Sequence, residues 1–409
     1  MDTLRLFLLG GLSALLVGCA TAPPPLAPQA VLRDELFKPA SEHIETEAEI
    51  FAASPAMQRW LREHYAQLHR DPDGDLRRSL VNALDSSQQL HLDYDATFTR
   101  DAAQSFDARS GNCLSLVIMT AAMAGQLDLP VQFQKVFVED SWSRDNNLMF
   151  LAGHVNLTLS RGRDAFVRSV SLTGDELMVD FIPAADLRGA HVHEIDRQTV
   201  AAMFMNNRAA EALDVGRLDD AYWWVRAALL EDPRYVAAYN TLGVIYRRHG
   251  NLTVAEESLH RVTAVEPESV PALANLVVVL RDEGRTSEAQ ALDARVRQLQ
   301  PYAPFHFFDL GIAAMKAREY AKARALFERE IAREAYYHEF HFWLALADYG
   351  LGDFDDARHE LQLALDNSTT HKAHALYAAK LDWLNAHQPP DPTANIGATL
   401  RREALLRGQ

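Results

Sequence analysis

Cysteine is scarce in this chain: Cys19 and Cys113 are the two in 409 residues. With the first inside the N-terminal leader described below, Cys113 has no internal disulfide partner, and its uses reduce to nucleophile or small core residue. Positive charge is also in short supply. Forty Lys and Arg stand against 56 Asp and Glu, a formal net charge of −16. A surface this acidic repels phosphate backbones and anionic headgroups, which excludes nucleic acid as a partner. The apolar run from Leu6 to Val17 is too short to span a bilayer. Apolar material is otherwise ample for real cores, at 48% of residues, and the length predicts two or three domains.

The first twenty residues combine a positive charge at Arg5, that apolar run, and a small-residue close at Leu16-Val17-Gly18-Cys19. This resembles a bacterial lipoprotein signal over residues 1–18, and the resemblance implies diacylation of Cys19 by palmitate-type chains as the mature N-terminus. More than one acyl chain gives stable anchoring. Ala20, where an Asp usually marks inner-membrane retention, implies an outer-membrane protein facing the periplasm. An ordinary secretory signal or a short anchor is the alternative. Residues 19–31, with Pro23-Pro24-Pro25 and Pro28, predict a stiff, extended tether.

From about residue 202, positions 34 apart repeat. Alanine recurs at 221, 255, 289, 323 and 357, glycine at 216, 250, 284 and 352 with Arg318 in the gap, leucine at 242, 276, 310 and 344, and proline at 233, 267 and 301. Glycine ends the first helix of a pair, alanine allows close helix approach, and proline stops the second helix. The pattern resembles the tetratricopeptide repeat family. It implies five units over 202–371 (202–235, 236–269, 270–303, 304–337 and 338–371), a capping helix over 372–388 and a tail over 389–409. The implied all-α superhelix has a groove that holds a protein or peptide. Tyr222, Trp223, Trp224, Tyr302, Phe305, Phe307, Phe308, Tyr336, Tyr337, Phe340, Phe342 and Trp343 read mostly as inter-helix packing, with a minority available to that groove.

Residues 32–195 carry mixed signals. Helical patterns cover 56–68 and 74–84 with a turn at 71–74 between them, Leu92 to Phe98 alternates weakly, and Cys113 opens a helix to Leu127 before a strand at 131–138. A thiol at a helix N-terminus meets the positive end of the macrodipole and unpaired N–H groups, which lower its pKa. Leu151 to Leu159 alternates with His154, Asn156 and Thr158 on one face, and Leu177 to Ile182 alternates likewise with Asp180. A meander through 165–172 would set His154 and Asp180 on neighbouring strands. An imidazole that takes the thiol proton and a carboxylate that orients it complete a nucleophilic set.

Ser110-Gly111-Asn112-Cys113-Leu114-Ser115-Leu116, Gly153-His154-Val155-Asn156 and Val179-Asp180-Phe181 together resemble the transglutaminase-like superfamily, a relative of the papain fold. The fold class expected is therefore an α+β papain/transglutaminase-like domain followed by an all-α repeat superhelix. By that resemblance Cys113 is the nucleophile, His154 the base and Asp180 the orienting carboxylate. Asn156 departs from the aromatic residue often found two places after the histidine. Asp175 is a rival carboxylate in the turn sequence Thr173-Gly174-Asp175-Glu176. No calcium loop is recognisable, so no metal and no cofactor is expected. His191-Val192-His193-Glu194 reads as a solvated connector, since no cysteine or second carboxylate stands at ligand spacing. Two functions remain open at this level: a thiol hydrolase or acyltransferase whose repeats present a polypeptide substrate, and a repeat adaptor with an idle transglutaminase-like module.

Overall fold

The computed structural model describes residues 27–69, 75–85, 90–137, 142–145, 148–151, 154–160, 176–181, 191–368 and 370–387. Cys19, the run at 165–172, Asp175 and the 389–409 tail lie outside them. The N-terminal region contains α1 (Glu47–Ile50), α2 (Pro55–Leu68), α3 (Leu76–Asp85), β1 (Asp93–Tyr94), α4 (Ala102–Ala108), β2 (Ser110–Gly111) and α5 (Cys113–Gln126). Strands β3 (Val131–Phe137), β4 (Trp142–Asp145), β5 (Leu148–Leu151), β6 (His154–Ser160), β7 (Glu176–Val179) and β8 (His191–Ile195) follow. Four of them form an antiparallel sheet in the order β7-β6-β3-β8. The weak alternation at 92–98 yields only the two-residue β1, paired parallel to β2. His191 and His193 lie on β8, an edge strand along β3, and not in a connector.

Helices then run in pairs: α6 (Arg197–Asp214) with α7 (Leu218–Glu231), α8 (Val236–His249) with α9 (Leu252–Val265), α10 (Val270–Asp282) with α11 (Thr286–Leu299), α12 (His306–Lys316) with α13 (Tyr320–Ile331), and α14 (His338–Leu351) with α15 (Phe354–Asp366). A final α16 (His371–Ala386) closes the stack. The first pair starts at Arg197, five residues before the repeat pattern, because Asp196 and the end of β8 lead directly into the helix. All five recurring alanines are fully buried. The four glycines close their helices in the left-handed region, φ 77 to 90°, and Arg318 adopts the same conformation at φ 59°. Leu310 departs from the pattern. It is exposed, while its counterparts Leu242, Leu276 and Leu344 are buried. Among the described residues, first helices of successive pairs touch (α6 with α8, α8 with α10, α12 with α14), whereas second helices make no comparable contact. The stack therefore curves toward its first helices, which line the inner face.

Two further features depart from the sequence pattern. The end of the stretch expected as tether, residues 28–31, is packed rather than free: Pro28 is buried, Val31 is fully buried, and residues 28–42 together lie along α7 and α8. Phe37 stacks on Tyr222 at 3.9 Å between ring centres, Tyr246 Oη donates to the Val31 carbonyl (2.7 Å), Trp223 Nε1 to the Lys38 carbonyl (2.6 Å), and Trp224 Nε1 to Glu42 (2.7 Å). So Tyr222, Trp223 and Trp224 are consumed inside the molecule. Phe305, Phe307, Phe308 and Phe340 are buried too, while Tyr302 and Tyr336 remain exposed.

The apolar core does not respect the division between the two regions. One cluster runs from Leu84, Ile118 and Leu157 through Phe204 and Trp224 to Leu276 and Val279. Two smaller clusters serve the distal helices, one around Phe305, Phe308, Phe327 and Phe340, the other around Ala345, Ala357, Leu361 and Leu384. Close approach inside these pairs depends on missing side chains. A Cβ on Gly311 would stand 2.4 Å from Phe327 Cε1. Gly311→Ala is accordingly expected to destabilise the distal helices by about 1–3 kcal/mol, the cost of overpacking. A thermal melt followed by circular dichroism should show an early loss of helix, and an unchanged melt would refute the contact.

Candidate active site

Cys113 is the first residue of α5. The helix starts there because Asn112 caps it, its Oδ1 accepting from the Ser115 backbone N–H at 2.9 Å. Gly111 is required one step earlier, since a Cβ there would meet Ser115 Cβ at 2.7 Å. The cap is itself held: Asn112 Nδ2 donates to Thr99 Oγ1 (3.0 Å) and the Arg100 backbone N–H to Ser115 Oγ (2.8 Å). Cys113 is half-buried.

Strand β6 packs against α5 and is buried on both faces. Val155, Leu157 and Leu159 enter the core. His154, Asn156 and Thr158 take the other face and are buried as well. The β6–β7 register pairs Leu157 with Val179, and Asp180 follows directly. His154 Nε2 and Asp180 Oδ1 are 2.7 Å apart, and Asn156 Nδ2 donates to Asp180 Oδ2 at 2.8 Å. With Nε2 committed to the carboxylate, His154 Nδ1 is the ring nitrogen left for the thiol. It is buried and has no hydrogen bond of regular geometry, yet the sulfur and the imidazole act strongly on each other's proton affinity.

Burial alone would raise the Cys113 thiol. The imidazole, through its bond and its charge, and the backbone amides of Val155 and Leu114 outweigh burial and bring the pKa below the ordinary thiol value. Burial likewise opposes charge on His154, but Asp180 and the thiolate raise its pKa from 6.5 to about 9. Both shifts run in the direction that favours a charged thiol and a charged imidazole, with the carboxylate behind them. Tyr94, carried beside Gly111 by the β1–β2 pairing, joins the site: burial and then the Cys113 charge push its phenol well above the usual range.

Sequence spacing thus nominated Cys113, His154 and Asp180, and the fold brings all three together. Asp175 lies outside the described residues. Asn156 was noted only as a departure from a family pattern, although its position two residues from His154 on one strand face already aims it at the same carboxylate. Tyr94 carried no signal, since its two-residue strand is set by pairing alone. Among the described residues no cluster of metal-ligating side chains occurs.

Asn156→Ala should release one Asp180 oxygen from a charge-assisted bond worth about 1.5–3 kcal/mol. The curve of Cys113 alkylation rate against pH is then expected to move toward the ordinary thiol value. A lower melting temperature with an unmoved curve would reduce Asn156 to a structural role.

The tetratricopeptide repeat family matches residues 240–304 and 308–372. Among solved structures the chain is similar to a MamA protein (22% identity, covering 41% of this chain and 91% of that one, TM-score 0.24) and a thermophilic repeat protein of Thermus thermophilus (21%, 44% and 99%, 0.26). It is also similar to PilF of Pseudomonas aeruginosa (19%, 47% and 96%, 0.26). No curated protein matches the chain. The helical half of this protein thus carries tetratricopeptide repeats over residues 240–304 and 308–372.

Proposed function

We propose that the protein is a lipid-anchored thiol hydrolase or acyltransferase of the transglutaminase-like, papain-related class, with its repeats serving to bind a polypeptide substrate. The observation that carries this reading is the buried 2.7 Å contact between His154 and Asp180 beside a thiol at the first turn of a helix. The Cys113 thiolate attacks an amide carbonyl, and the C–N bond breaks as the His154 imidazolium gives its proton to the departing amine, leaving a thioester on Cys113. Water, deprotonated by His154, releases a carboxylic acid, while an amine in its place yields a new amide. For a cell-envelope protein hydrolysis is the favoured outcome. Asp180 keeps Nε2 protonated and Nδ1 toward the sulfur, and Asn156 keeps Asp180 in place.

Iodoacetamide labelling of Cys113 tests the reading. Because the folded His154 pKa lies near 9 and above its ordinary 6.5, the imidazolium persists through neutral pH and is lost as pH rises through about 9. Alkylation should therefore be fast at pH 7, with a midpoint below the ordinary thiol value of about 8.5, and His154→Ala should slow it. A rate equal to that of free cysteine would favour the second reading, a repeat adaptor with an idle module, which the aromatic and polar docking of residues 28–42 on α7 and α8 supports as an example of segment binding.

The Leu16-Val17-Gly18-Cys19 pattern supports anchoring at the outer membrane with the folded part in the periplasm. Cys19→Ser is expected to move the protein from the membrane to the soluble fraction, and undiminished membrane association would count against lipidation.

A further inference from the structure

Strand β7 sets one methionine against the group that steadies Asp180. Val179 turns into the core, so its neighbours Met178 and Asp180 share the opposite face of the strand. The β6–β7 register puts Met178 across from Thr158, one step along that face from Asn156. Because β7 is an edge strand, Met178 is 53% exposed. Met57, Met119, Met123, Met203 and Met205 are buried, and Met315 is partly buried. The Met178 sulfur is engaged: Asn156 Nδ2 donates to it at 3.4 Å and to Asp180 Oδ2 at 2.8 Å. Only the amide nitrogen can serve two acceptors, so the carboxylate fixes which way this group is turned. Asn156 Oδ1 is left buried without a partner. One carboxamide thus commits both its hydrogens. The first holds the carboxylate that orients His154, and the second meets the thioether of an exposed residue.

A thioether is a weak acceptor, and oxidation converts it into a polar sulfoxide whose oxygen is a strong one. In that step a sulfur lone pair attacks a peroxide. An S–O bond forms as the O–O bond breaks, the sulfur gives up two electrons, and the peroxide leaves as water or an alcohol. The new oxygen cannot enter the 3.4 Å between sulfur and nitrogen without separating them. It competes with Asp180 for the same amide hydrogens and brings partial negative charge toward the carboxylate. We propose that Met178 is an oxidative modification site that controls the Cys113 thiol: a peroxide converts it to the sulfoxide, which draws Asn156 from Asp180, loosens the carboxylate from His154 and slows the thiol. Control of the chemistry rests on the reading given under Proposed function, whereas oxidation of Met178 and its effect on His154 stand without it. Met178 is a positioning residue, acting on the imidazole through Asn156 and Asp180. Methionine sulfoxide is enzymatically reducible, so the change is reversible.

The test uses the full chain. Methyl methanethiosulfonate first masks Cys113 as a mixed disulfide, hydrogen peroxide is then applied, and dithiothreitol removes the mask while leaving sulfoxides in place. Peptide mass spectrometry should find the added oxygen on Met178 before any of the buried methionines. Cys113 should then react with iodoacetamide at pH 7 about tenfold more slowly, the loss of one charge-assisted hydrogen bond, with its pH midpoint displaced toward the ordinary thiol value. Methionine sulfoxide reductases should restore the rate. Met178→Leu, which has no sulfur to oxidise, should pass through the same treatment with its rate unaltered, and in Asn156→Ala oxidation of Met178 should be silent. Oxidation of Met178 no sooner than the buried methionines, or oxidation that leaves the alkylation curve unmoved, would overturn the proposal. Equal slowing of treated Met178→Leu would do the same, by locating the effect elsewhere. Titration of the His154 ring followed by nuclear magnetic resonance separates this inference from the enzymatic reading. If Cys113 of the untreated protein labels no faster than free cysteine while oxidation of Met178 lowers the His154 pKa by about one pH unit, the thiol chemistry falls and the coupling through Asn156 stands. Fast labelling with a His154 titration indifferent to oxidation has the opposite meaning.

Discussion

One continuous apolar core sets the terms for the rest of this molecule. It starts under α2 and α3, passes beneath the sheet, and continues through α6 and α7 as far as Leu276 and Val279 on α10. Neither the mixed region nor the first repeats could bury their apolar faces alone, since a repeat pair is stable only against neighbours. Helices α5 and α1 supply the missing neighbour for α6, and α6 in turn backs the segment that holds the Cys113 helix cap. Position of the thiol is thus a property of both halves.

Within that frame the site balances two opposed terms. Removing an imidazole and a carboxylate from water is costly, and it is tolerated because each compensates the other at 2.7 Å and Asn156 covers a remaining oxygen. Breaking any one of these contacts leaves a charge stranded in the interior. The thiol gains by the same arrangement, because an imidazolium held in a dry site acts more strongly on a neighbouring sulfur than one in water.

Much of this could be read in the residues before any coordinates. The repeats were legible because small residues must recur where helices cross, and a 34-residue period in Ala221, Ala255, Ala289, Ala323 and Ala357 has no other simple cause. Cys113, His154 and Asp180 were legible through order and alternation. What escaped was whatever depends on partners distant in sequence. Val31 ends a proline-rich stretch whose composition suggests a spacer, and only the aromatic surface of α7 and α8, which also takes Phe37, makes it core. His191 and His193 lack the apolar alternation of a strand, yet β3 needs an edge partner and takes them. Thr99 looks like any loop hydroxyl until Asn112 and Asn207 converge on it. Leu310 fits the period and is nonetheless exposed, in a pair whose first helix, α12, makes no contact with α10 comparable to that of α8 with α10.

The division of the interior after α11 has a mechanical consequence. The large core ends with α10, α11 buries little beyond Ala289, and the Phe305–Phe340 cluster begins afresh with its own aromatic packing. Strain, damage or drift in the terminal units therefore meets a fault line before it reaches the sulfur. Alterations in the first three units, by contrast, fall within the same apolar core as the helix that opens with Cys113.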